Sequence, residues 1–143
     1  MGEYNNFNYD FIERTLKILK AYHGPYGVTQ MINCAVGLLV LPQQKLAHQL
    51  PITDVDDSGE FGIYKSNIRK CRGDYSFNNV LRHVRNGIVH GHITQVSTRD
   101  GEIESIKIED FYRGQKTFEI VVMPNQLEQF AIYTAEAILA SRL

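Results

Sequence analysis

The chain is poor in cysteine: Cys34 and Cys71 are the only two among 143 residues. That is too few for a disulfide framework, and they lack the close pairing of a zinc ribbon or a thioredoxin-type motif. Such usage fits a reducing compartment. An excess of one charge sign is also missing. Fifteen Lys and Arg meet sixteen Asp and Glu, which excludes a disordered polyanion and a uniformly basic nucleic-acid coat protein. The longest apolar run, Cys34 to Leu41 with Gly37 counted in, falls well short of the roughly 20 residues of a membrane helix. Met1 to Asp10 carries Asn, Tyr and acid rather than a basic segment followed by an apolar one. No secretion signal is read there, and the written start is taken as the mature one. The expectation is a soluble cytoplasmic protein with no membrane partner. No repeat, low-complexity tract or linker divides the chain, so residues 1–8 are read as a tail before a single domain over 9–143. At this length, 43% apolar residues suffice to bury a core without staples.

What is present is mostly helical periodicity. Ile12, Leu16 and Leu19, flanked by Phe11, Ile18 and Tyr22, predict a helix over Tyr9 to Tyr22 that Gly24-Pro25 stops. Val28 to Leu41 is apolar on nearly every side and predicts the buried central helix, ending at Pro42. Gln43 to Gln49 allows a short further helix, and Pro51 to Ser66, with Asp54, Asp56, Asp57 and Glu60 close together, reads as a polar loop. Ser76 is placed to cap a helix in which Phe77, Val80, Leu81, Val84 and Ile88 form the apolar stripe, with Gly91 at its end. Beyond Gly91, β-branched residues predict three short strands. These are Ile93 to Thr98, a second through Ile106 and Ile108 after a turn at Arg99 to Glu102, and Thr117 to Met123. Asn125 and Glu128 read as a capping box for a last helix carrying Leu127, Phe130, Ala131, Ala135, Ile138 and Leu139. The expected fold class is mostly α (α+β), a helical bundle with a small three-stranded antiparallel meander before the C-terminal helix.

Balanced overall, the charge is uneven locally. Lys65, Arg69, Lys70, Arg72, Arg82 and Arg85 stand in one segment against the single acid Asp74, with His83, His90 and His92 adjoining. Such a segment reads either as the footprint of a polyanion such as RNA or as the solvated face of a helix pair. The candidate RNA contacts are Lys65, Arg69, Lys70, Arg72, Arg82 and His83.

A second, chemical signal lies in Arg85-Asn86-Gly87-Ile88-Val89-His90. On an ideal helix, turning about 100° per residue, Arg82, His83, Asn86 and His90 lie opposite the apolar stripe. Arg85 sits at the edge of that polar arc, from which a long side chain can lean toward the same cleft. A permanent cation, an amide and an imidazole are the groups that metal-free RNA cleavage needs. There the 2′-hydroxyl attacks its own phosphate, and the chemistry is chiefly proton transfer and stabilisation of added charge. Imidazole titrates near neutrality, and the end of a helix favours its protonated form. Asn86 could hydrogen-bond His90 one turn away or orient the phosphate. By ordinary residue frequencies, Arg followed five positions later by His occurs in about one chain of this length in six, but with Asn after the Arg in about one in a hundred. The plainer reading has His90 as a helix cap, with Arg85 and Asn86 facing solvent.

This segment, set in Leu81 to Gly91, resembles the R-N-x-x-x-H signature of HEPN domains. The early Glu13-Arg14-Thr15-Leu16, the Gly24-Pro25-Tyr26 turn, and Val28 to Cys34 leading into Gly37 to Pro42 are similar to stand-alone plasmid- and prophage-borne HEPN nuclease-like proteins. The resemblance implies a helical bundle that forms a homodimer, so that two motif helices face one another across a shared cleft. It further implies a metal-independent endoribonuclease without cofactor, in a toxin–antitoxin or phage-defence setting, with a cognate antitoxin or regulatory protein as a possible partner. Arg85 and His90 would be its catalytic pair and Asn86 their polar helper. The alternative within the family is a non-catalytic module that binds nucleotide or protein. Gly87 is less typical of such a helix, and close approach of a second motif helix at a dimer seam would account for it.

Other signals are set aside. Asp54 to Gly59 begins like a calcium loop, but Lys65 occupies the twelfth position, where a bidentate Glu is required. The histidines lack companions at zinc-type spacing, so no metal site is expected. Cys34 lies in the apolar helix, and Cys71 lies among cations that would lower its pKa.

Overall fold

The computed structural model describes residues 7–21, 27–45, 50–97 and 103–141. Within these, helix α1 spans Phe7–Ala21 and buries Ile12, Leu16 and Leu19, as their spacing predicts. Tyr22 and the Gly24-Pro25 stop lie outside the described residues. Helix α2, Gly27–Lys45, does not end at Pro42 but continues to Lys45. A proline has the φ of a helix built in, and here the missing N–H removes a single bond near the helix end. Of the short helix allowed over Gln43 to Gln49, residues 43–45 are the last of α2, and 46–49 are not described.

The polar loop is anchored more deeply than its composition suggests. Val55, Phe61 and Ile63 are buried, and the Phe61 ring packs 5.0 Å from Phe77 and 4.9 Å from Tyr133. After a 3-10 turn at Lys65–Asn67 comes strand β1, Ile68–Cys71, which the sequence pattern missed. Ile-Arg-Lys-Cys is short and carries two charges. It becomes a strand because a neighbouring strand offers backbone partners, a tertiary effect that outweighs local propensity.

Helix α3, Phe77–Val89, starts where Ser76 predicts: the Ser76 Oγ accepts from the Asn79 N–H. Strands β2 (Ile93–Ser97), β3 (Ile103–Tyr112) and β4 (Gln115–Val122) follow. The sheet is antiparallel in the order β1-β4-β3-β2, so it has four strands rather than the expected three. The predicted turn at Arg99 to Glu102 falls outside the described residues. The hairpin between β3 and β4 is closed by Arg113 and Gly114, both at positive φ (50° and 79°), as a tight two-residue turn requires. Helix α4, Pro124–Ala140, begins earlier than the Asn125 and Glu128 box predicts. Pro124 suits the first helical position, and the Gln126 Oε1 accepts from the Met123 N–H at 2.8 Å. The apolar stripe of α4 is buried as expected at Leu127, Phe130, Ala131, Ala135 and Ile138.

Helix α2 packs against α1, α3 and α4, and α3 also packs on β3, giving a mixed α+β architecture. Gly87 sits at the contact between α3 and β3. A Cβ there would stand 2.6 Å from the Glu109 carbonyl oxygen and 2.6 Å from the Ile108 Cγ2. The glycine therefore serves the approach of helix to strand within one chain, not the helix–helix seam first considered for it. Alanine favours a helix by about 1 kcal/mol over glycine, but overpacking against backbone costs about 1–3 kcal/mol. Gly87→Ala is expected to lower stability in urea denaturation despite its better helix propensity, and Gly87→Val to lower it further. A gain in midpoint for Gly87→Ala would overturn this account of the contact.

Candidate active site

The C-terminal end of α3 is held by two reciprocal bonds. The Gly91 N–H donates to the Ile88 carbonyl at 3.1 Å and the His92 N–H to the Gly87 carbonyl at 2.7 Å, with Gly91 at φ 75°. This is a Schellman cap, and it needs a residue free to adopt left-handed backbone at Gly91. His90 consequently stands at the helix C-cap, exposed to solvent.

Arg82, Asn86 and His90, spaced four apart on α3, line one wall of a cleft of about 330 Å³. The opposite wall comes from the sheet: Asp110, Phe111 and Tyr112 of β3 and Thr117 of β4, with Arg72 beside them. A register shift between Asp110 and Phe111 interrupts the β3–β4 ladder at this point. Such an irregularity re-aims side chains and lets neighbouring residues of one strand reach the same cleft.

At the base of the cleft, His83 is 2% exposed and Asp110 5%. The His83 Nδ1 lies 2.8 Å from the Asp110 Oδ2, and its Nε2 lies 3.0 Å from the Arg72 carbonyl oxygen. Each ring nitrogen thus faces an oxygen, one of a carboxylate and one of the backbone. The same ring stacks on Phe118, with centroids 4.9 Å apart and planes 3° from parallel. His83 therefore does not belong to the solvent-facing RNA contacts in which the sequence reading placed it. It faces the sheet, because β3 covers the part of the polar arc around His83 while Arg82 and His90 stay exposed.

Asn86 continues the network. Its Nδ2 donates toward the Asp110 Oδ2 at 3.4 Å, and its Oδ1 accepts from an Arg85 Nη at 2.7 Å. Both ends of the amide are thus engaged with Asp110 and Arg85, and the bond to His90 considered from the sequence is not formed by this side chain. Arg85 is half-buried, and its Nε is enclosed without a hydrogen-bond partner. His92 packs edge-on against Phe111 at 4.9 Å, 6.3 Å from the His90 ring.

The basic segment divides. Arg72 and Arg82 reach the cleft, Arg82 with a bond to the Asn79 Oδ1 at 2.7 Å. Lys65 lies over the Tyr75 ring at 4.5 Å, while Arg69 and Lys70 are exposed on β1; none of these three lines the cleft. Cys71 differs from expectation: burial, with Asp74 adding to it, pushes its thiol above the ordinary range, and these outweigh the nearby Arg82. On the outer side of the sheet Lys116 bridges Glu109 at 2.7 Å and Glu119 at 2.6 Å, which holds the Glu109 carboxyl below its usual range. Among the described residues no group of three or more His, Cys, Asp or Glu is arranged to hold a metal ion, and no helix is long and apolar enough to cross a membrane.

Asp110, Phe111, Tyr112 and Thr117 were not identified from the sequence. For Asp110 a signal existed: Ile106, Ile108 and Asp110 alternate on one strand face, so the acid continues an apolar row and must be buried with a partner.

A family model described as HEPN pEK499 p136 matches residues 1–142. The chain belongs to this HEPN family. No match was found among curated proteins or solved structures.

Two outcomes follow from the buried network and its flank. Asp110→Ala strips His83 of its carboxylate and is expected to cost about 3–5 kcal/mol in urea denaturation; a loss below 1 kcal/mol would show the pair to be dispensable. Because its pKa is raised, less Cys71 is thiolate at a given pH. Its alkylation at pH 8 should be slower than that of a free cysteine peptide, with the rate still climbing above pH 9. Alkylation as fast as the peptide's would contradict the raised pKa.

Proposed function

We propose that this chain is a HEPN-type endoribonuclease that works without metal, as a homodimer in which each copy contributes Arg85, Asn86 and His90 to a composite site. Helices α1 to α4 serve as the HEPN bundle, and the sheet supplies the second wall of the cleft. The observation that carries the reading is the arrangement on α3. Asn86 is held between Arg85 and Asp110, while His90, free of side-chain bonds among the described residues, rims the same cleft. Arg85 does not itself line the cleft, but its guanidinium is oriented by Asn86, which does, and with an accessible imidazole at the rim this suits a reaction limited by proton transfer and by charge added at phosphorus.

In that reaction the 2′-oxygen forms a bond to the adjacent phosphorus as the bond to the 5′-oxygen breaks. One His90 accepts the 2′-hydroxyl proton, His90 of the second copy delivers a proton to the leaving oxygen, and Arg85 offsets the charge on the non-bridging oxygens. The products are a 2′,3′-cyclic phosphate and a 5′-hydroxyl. Val89, 53% exposed on the helix end next to His90, supports a second copy at this face. Arg72 and Arg82 at the cleft, with Lys65, Arg69 and Lys70 beyond it, would guide the RNA. A toxin–antitoxin or phage-defence setting suits such an activity, with an antitoxin or regulatory protein restraining it.

A second reading, a non-catalytic HEPN binding module, draws on a different observation: Arg85 is half-buried with one nitrogen enclosed and another bonded to Asn86, as a structural arginine would be. Turnover separates the two. Purified protein, dimeric by light scattering, is expected to cut single-stranded RNA in excess chelator and to leave DNA, which lacks the 2′-hydroxyl, intact. His90→Ala and Arg85→Ala should each lower the rate at least about a hundredfold with the circular-dichroism spectrum preserved, and Asn86→Ala should lower it less. A requirement for added metal, or full activity in His90→Ala, would overturn the nuclease reading in favour of the binding module.

A further inference from the structure

The hairpin that closes the cleft carries a group that the cleavage chemistry does not use. Tyr112 is 55% exposed although it sits at the mouth of a polar cleft. Two guanidinium groups attend its ring, Arg72 at 5.7 Å and Arg113 at 5.2 Å from the centroid. Both groups lie over the ring at distances near the outer limit of a cation–π contact, about 6 Å, so they pack loosely on it and the ring keeps its exposure. Arg113 also occupies a turn position at φ 50°, where a glycine or asparagine would be less strained. Phe111, the adjacent residue, is 37% exposed and makes a T-shaped contact with the His92 ring.

An exposed aromatic ring between two cations is an arrangement suited to nucleobases. The π-face takes a base by stacking, and the guanidinium groups take the phosphates on either side of it. The ring also lines the same cleft as His90, so a base on Tyr112 would lie next to the phosphate that His90 serves.

The geometry points to Tyr112 as the platform of a base subsite, which accepts one unpaired RNA base beside the scissile phosphate and positions it through Arg72 and Arg113. This rests on the nuclease reading only for the identity of that phosphate. Bases locked in a duplex cannot reach the ring, so the subsite selects unpaired RNA, and because every base has a π-face it is tolerant of sequence.

The test separates binding from cleavage. The intact protein is titrated with a 2′-O-methyl single-stranded oligonucleotide, which lacks the attacking hydroxyl, and with versions of it carrying one abasic position each. Tyr112→Leu should weaken binding about tenfold or more, Tyr112→Phe should restore it, and removal of one particular base should abolish the difference between Tyr and Leu. Equal binding by wild type and Tyr112→Leu would overturn the subsite, and so would a free mononucleotide bound as tightly as the oligonucleotide. If the binding pattern holds but natural RNA is not cut, the nuclease reading fails and the subsite stands. If RNA is cut while Tyr112→Leu binds normally, the reverse follows.

Discussion

The buried pair of His83 and Asp110 is the interaction on which the cleft depends. It joins the middle of α3 to β3 at 2.8 Å, and the other ring nitrogen reaches the Arg72 carbonyl just past β1. Three elements are therefore tied at one imidazole. Burying such groups is costly unless every polar atom finds a partner. Here the ring has an acceptor at each nitrogen and an aromatic face against Phe118. Apolar side chains of similar volume could hold helix and sheet together, but they would set neither the rotation of α3 nor the register of its polar side against β3. Gly87 completes the constraint by letting the helix backbone approach the Glu109 carbonyl.

From that anchor the network divides the motif into fixed and free parts. Asn86 has both amide ends engaged, so its orientation is set by Asp110 and it in turn sets a nitrogen of Arg85. His90, held only by its backbone in the helix cap, keeps its ring open to the cleft. A held guanidinium and an exposed imidazole within one motif are the division of labour that the proposed cleavage calls for. The same rigidity would also serve a module that only binds, which is why turnover and not geometry distinguishes the two readings of this HEPN protein.

The sheet is not an ornament on a set of helices. Without β3 and β4 the polar side of α3 would face water, and Asp110, Phe111, Tyr112 and Thr117 would be absent from the cleft. The shift in ladder register at Asp110 and Phe111 falls where the strand changes from core support to cleft lining. One strand thus supplies the buried acid that fixes the helix and the exposed aromatic ring at the mouth.

Periodicity in the sequence determined α1, α2, the Ser76 start and Gly91 end of α3, three of the strands and the apolar stripe of α4, because each is written in local spacing and capping chemistry. The family was legible for the same reason: Arg85, Asn86 and His90 lie within one helix, and their spacing survives any tertiary arrangement. Strand β1 was not legible, since Ile68 to Cys71 becomes a strand only when β4 offers its backbone. Nor was the burial of His83, because a helical wheel separates apolar from polar faces but does not tell which polar face another element will cover. That decision needed Asp110, 27 residues away, to arrive opposite His83 as the sheet packed on α3. The sequence by itself determined which chemical groups share a helix; only the tertiary structure decided which of them are locked together in the interior and which remain open to solvent.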